Sequence, residues 1–126
     1  MTKTIQGIGQ VAMTVRDLDR AIAFYRDIIG LPFLFAAGPS IAFFRCGEIR
    51  LMLSTPEADG ATYSSILYFR VEDINGVAET MKSKDLKFER EPHRIAEMPD
   101  HDLWMAFFRD SEGNLLALMS EVRRVS

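Results

Sequence analysis

Apolar and polar positions along the 126-residue chain change their period in a fixed order, and do so twice. Around residues 10–15 they alternate: Val11, Met13 and Val15 oppose Gln10, Ala12 and Thr14, the signature of a half-buried strand. From Leu18 the period lengthens, and Leu18, Ala21, Ile22, Tyr25, Ile28 and Ile29 fall on one helical stripe. Asp17 is placed to cap that helix, and Gly30 and Pro32 to end it. Phe24 lies off the stripe, where it makes a second core contact or part of a dimer interface. Short strands are predicted near 31–36, 41–45 and 48–54. The second half repeats the order. Leu67, Phe69 and Val71 oppose Ile66, Tyr68 and Arg70 in a strand, then Asp73 caps a helix whose stripe is Ile74, Val77, Ala78 and Met81. Strands near 87–94, 103–109 and 114–121 follow. An offset of 56 aligns Val15 with Val71 and Asp17 with Asp73, and Phe43-Phe44-Arg45 is echoed by Phe107-Phe108-Arg109.

The pattern predicts an α+β fold built as βαβββ, linker, βαβββ. Residues 1–126 form a single domain of two modules, about 5–54 and 64–121, joined by a polar linker at 55–63. A βαβββ unit covers one sheet face with its helix and leaves the other open. Two such units side by side enclose a cleft between curved mixed sheets. Alternation in the strands near 48–54 and 114–121 assigns Leu51, Leu53, Leu116 and Leu118 to the helix sides. The open side of the first module then carries Gln10, Thr14, Arg50 and Met52, and that of the second carries Ile66, Tyr68 and Ala117. It is semi-polar with an apolar centre, and holds arginine but no carboxylate. Such a surface suits an organic ligand with apolar bulk and an anionic group. The alternative leaves Arg50 and Arg70 at strand ends in solvent.

Composition narrows the chemistry. One cysteine, Cys46, forms neither an internal disulfide nor a thiolate zinc cage, and no histidine near it in sequence supports a nucleophilic dyad. Two histidines, His93 and His101, cannot make a three-histidine metal site within one chain. With 15 basic against 18 acidic residues and a net charge of -3, nucleic acid is not an expected partner. The chain also shows no transmembrane run or signal-type apolar segment, so a cytoplasmic protein without membrane association is expected.

The stretch IGQVAMTVRDLDRAIAFYRDIIGLPF resembles the opening module of vicinal oxygen chelate proteins, the group of glyoxalase I, bleomycin resistance protein and extradiol dioxygenases. IRLMLSTP resembles the strand that ends that module, and FFRDSEGNLLALMSEV the closing hairpin. The resemblance implies the cleft fold and a homodimer. It also implies a metal site in the metal-dependent members, whose four pocket positions commonly hold His, Gln or Glu. Here those positions are Gln10, Met52, Ile66 and Ala117, of which one offers a hard donor. No metal and no cofactor are therefore expected. A second place for a metal is the stretch EPHRIAEMPDHDLW, where His93, Glu97 and His101 are four apart, but Pro92 and Pro99 oppose a helix there. That stretch reads as a strand end and loop. It is either solvated, with Met98 and Trp104 beneath it, or a rim through which His101 and Trp104 reach the ligand. The leading expectation is a metal-free protein that binds a small organic ligand. The alternatives are a lyase, isomerase or dioxygenase with rearranged metal ligands, and a non-catalytic interaction module with a filled cleft.

Overall fold

A computed structural model of the chain describes residues 4–56, 60, 62 and 64–124. The expected linker at 55–63 lies partly outside the described residues. The chain divides into two compact units, 1–64 and 65–126. The first contains β1 (Gln10–Thr14), α1 (Leu18–Ala23), β2 (Phe33–Ala37), β3 (Ile41–Cys46) and β4 (Ile49–Ser54). The second contains β5 (Leu67–Arg70), α2 (Ile74–Lys82), β6 (Phe88–Glu97), β7 (His101–Arg109) and β8 (Leu115–Arg123). Each unit is one four-stranded mixed sheet, ordered β1-β4-β3-β2 in the first and β5-β8-β7-β6 in the second. In each, the opening strand runs parallel to the closing one and the remaining pairs are antiparallel.

The repeat extends to single hydrogen bonds. Val15 N–H donates to the Ser54 carbonyl and Val71 N–H to that of Met119, both at 2.9 Å. An aspartate caps each helix: Asp17 accepts from Arg20 N at 3.1 Å, and Asp73 from Gly76 N at 3.0 Å. Each satisfies one of the amide donors that a helix start leaves unpaired.

The cores sit between helix and sheet. In the first unit Met13, Val15, Leu51 and Leu53 meet Leu18, Ala21 and Tyr25, all buried. In the second, Ala106, Phe108, Leu116 and Leu118 are buried on the side of Ile74, Ala78 and Met81. The first helix departs from the regular spacing expected over 18–29. Beyond α1 it continues as a π-helical segment, Phe24–Ile29. The wider turn brings neighbouring Phe24 and Tyr25 inward together, while Ile28 and Ile29 remain half-buried. Phe24 is thus core, set edge-on to Tyr25 at 5.7 Å.

The stretch expected as a strand end and loop is instead a continuous hairpin. β6 runs to Glu97, β7 begins at His101, and Met98 N–H donates to the His101 carbonyl at 2.8 Å. Pro92 is accommodated because β6 is an edge strand, where a missing amide donor costs no ladder bond. Register shifts within β6 let the strand pass through it. Among the described residues, no helix is long and apolar enough to cross a membrane.

Candidate functional site: the open sheet faces

Register places the site residues of the first unit. β1 and β4 pair Gln10 with Arg50, Ala12 with Met52 and Thr14 with Ser54, so these share the face opposite the helix. Across β4, Phe43 lies opposite Met52 and Arg45 opposite Arg50, which adds two β3 residues to that face. A shift in register between Phe33 and Phe35 splits β2 between the two sides. The Phe33 ring meets core Phe44 at 5.4 Å, whereas Phe35 meets Phe43 at 4.8 Å on the open side.

These side chains form a connected group. Arg50 Nε–H donates to Gln10 Oε1 at 2.7 Å, and its guanidinium carbon lies 4.8 Å from the centre of the Phe43 ring. The arginine is therefore oriented twice, by an amide acceptor and by an aromatic face. Because Nε–H can only donate, the bond also fixes which end of the Gln10 amide faces it. The amide nitrogen then points toward Met52 Sδ, at 3.8 Å. Gln10 and Arg50 are exposed, Met52 is half-buried and Thr14 is buried.

In the second unit, Tyr68, Ala117 and Phe107 lie in one register row across β5, β8 and β7. Tyr68 and Phe107 meet edge to face at 6.3 Å, and Ala117 between them is fully buried. Ile66 precedes β5 and is 45% exposed. His101 has the same strand parity as Phe107, six positions earlier in β7. Its Nδ1–H donates to Asp100 at 2.7 Å, and that bond holds the Asp100 carboxyl below the usual carboxylate range. Trp104 has the opposite parity. It pairs with fully buried Ser120 and shares the helix-side face of Ala106 and Phe108. It is therefore not brought together with the open-face residues, a correction that follows from the register of β7 on β8, which turns Trp104 to the helix side.

The residues do not fit a metal. The oxygen of Gln10 accepts from a guanidinium cation, and Met52, Ile66 and Ala117 offer no hard donor. His93, Glu97 and His101 are strung along the hairpin: His93 pairs with Met105 and Glu97 with Asp102. The His93 ring lies 3.1 Å from an Arg90 guanidinium nitrogen and 2.7 Å from the Glu91 carbonyl oxygen. Among the described residues, no three His, Cys, Asp or Glu side chains are grouped to hold an ion.

Phe35, Phe43 and Arg45 do not emerge from sequence reasoning. Both Phe43 and Phe44 are apolar, so alternation within β3 cannot say which faces the core. The signal lies in the opposition of Arg45 and Arg50, which requires the register.

Comparison with known proteins agrees with this architecture. The uncharacterized protein YraH of Bacillus subtilis (strain 168) is 28% identical over 126 residues, spanning 86% of this chain and 94% of its own. The crystal structure of lactoylglutathione lyase from Agrobacterium tumefaciens superposes with a TM-score of 0.75 at 24% identity, covering 94% of this chain and 96% of that one. TnmS3, an antibiotic binding protein from Streptomyces sp. CB03234, gives 0.76 at 17% identity, with 95% and 99% covered. At these identities the two structures speak for the fold. The family model of the Glyoxalase/Bleomycin resistance protein/Dioxygenase superfamily matches residues 7–118, nearly the whole of both βαβββ units, and the chain belongs to that superfamily.

Proposed function

We propose that this chain is a small-molecule-binding member of the superfamily that works without a metal, taking an organic ligand on its open sheet faces. The observation that carries the reading is the Arg50–Gln10 bond laid across Phe43. It puts a fixed cation and an aromatic surface where a metal-dependent relative would need free oxygen and nitrogen donors. A mostly apolar surface with a few oriented polar groups is the usual make-up of a ligand site. The fold accommodates such a role, since it serves an antibiotic binding protein as well as a lyase. A homodimer belongs to the same proposal, on family grounds, and sedimentation of the intact chain tests it.

The deciding experiment is a thermal-shift screen of tag-free protein against a metabolite panel, run in parallel with EDTA and with Ni, Zn, Fe or Mn. Ligand-induced stabilisation that is the same in both arms is the expected result. Stoichiometric, tight metal uptake that Gln10→Ala or His101→Ala abolishes would overturn the metal-free reading.

A further inference from the structure

Not every arginine of this chain is paired with a carboxylate, and among the described residues Arg70 and Arg90 are two that are not. Arg26, Arg94, Arg109, Arg123 and Arg124 each hold a carboxylate: Asp27, Glu97, Glu89, Asp100 and Asp102 respectively. Arg45 and Arg50 hold none among the described residues, although they stand directly opposite each other on β3 and β4. Their sheet carries no acidic residue in any of its four strands. Like charges directly opposed across strands destabilise a sheet. Both side chains are exposed and the face that carries them is the open one, so the repulsion is available to be relieved by an anion from solution.

We infer that Arg45 and Arg50 form the anion-binding end of the ligand site, and that the ligand is an organic acid whose carboxylate bridges them while its planar apolar body lies along Phe43 and Phe35. This rests on the ligand-binding reading above and adds the class of ligand. The geometry is prepared on one side. Arg50 is held through Nε by Gln10 and by the Phe43 face, which leaves its terminal nitrogens for a bidentate acceptor. The apolar end is prepared as well: the Phe35 and Phe43 rings touch at 4.8 Å, and Phe35 remains 47% exposed. An anion without an organic body would satisfy the arginines and leave that aromatic surface in water. A neutral ligand would cover the rings and leave the two cations opposed.

The test compares cinnamate with its neutral amide, cinnamamide, and with inorganic phosphate, by calorimetry and thermal shift on the intact chain, Arg45→Gln and Arg50→Gln. Cinnamate should bind at least about tenfold more tightly than the amide, and either substitution should remove that preference. Binding should weaken as salt is raised. Unliganded Arg45→Gln should melt no lower than the parent, because it removes a like-charge contact, so lost binding is separable from lost folding. Equal affinity for acid and amide, or a preference that survives both substitutions, overturns the inference and leaves ligand binding standing. Phosphate binding as tightly as cinnamate overturns it too, in favour of a site for bare anions. If neither organic probe shifts the melting temperature, the inference falls, and the metabolite panel decides the ligand-binding reading separately.

Discussion

Cys46 ends β3 half-shielded from solvent, and burial pushes its thiol up from the ordinary value. The thiolate is the reactive form, so at neutral pH alkylation by iodoacetamide should be slower than for a free cysteine and should accelerate toward alkaline pH. Reaction at or above the free-cysteine rate near pH 7 would contradict this. Gln10 and Arg50 show the opposite dependence on surroundings. Neither type is distinctive in sequence, and their roles come from a 2.7 Å bond between strands 40 positions apart. Alternation placed both on the open face, because β1 and β4 each have one plainly aliphatic side. It could not place Phe43 or Arg45, since β3 presents a phenylalanine to each side.

At the scale of elements, the turn between β7 and β8 depends on one buried carboxylate. Asp110 accepts from Glu112 N and Asn114 N, both at 2.8 Å, and from the Asn114 side chain at 2.9 Å. Asp110→Ala strands those donors, and should cost about 2–4 kcal/mol in urea denaturation. Phe44→Ala empties the space between Phe33 and Tyr25 in the first core and should cost about 3–5 kcal/mol by the same measurement. The β6–β7 hairpin carries a pH-dependent contact at its tip. The Asp100 carboxyl is lowered chiefly by the His101 hydrogen bond, so its charged form is favoured in the folded state. The resulting stabilisation is present above the unfolded carboxyl value near 4 and is lost as pH falls through the lowered folded value. Asp100→Asn should therefore flatten the acid limb of the stability profile, by a small amount because the group is exposed. Helix caps were legible here because Asp17 and Asp73 act on amides three residues away. The π-helical turn was not, since its cause is the demand of the core for both Phe24 and Tyr25. The hairpin's extension to Glu97 and His101 was not either, since the residues it adds beyond the expected strands 87–94 and 103–109 are mostly polar and are fixed by cross-strand pairing.

For the whole molecule, ligand binding and stability are linked. An organic acid at 100 times its dissociation constant should add about 2.7 kcal/mol, a rise of roughly 10 °C in melting temperature for a chain of this size. The two halves share strand order, cap and the parallel closing pair, yet they have diverged in charge. The strands of the first sheet hold two arginines and no acid, whereas the second sheet carries acidic residues on β6, β7 and β8, and Arg94, Arg109 and Arg124 are tied to three of them. The sequence by itself determined the repeated βαβββ order, the caps, the helix-facing aliphatic sets and the superfamily resemblance. The caps and aliphatic sets rest on spacings of two to four residues within one element, where period and capping chemistry operate, and the repeat and the resemblance on the order in which such elements recur. Only the tertiary structure decided that Arg45 opposes Arg50, that Arg50 lies on Phe43 and holds Gln10, and that Trp104 faces the helix side. Those facts depend on register between strands and on bulges within them, and a shift of one residue in pairing sends every side chain to the other face.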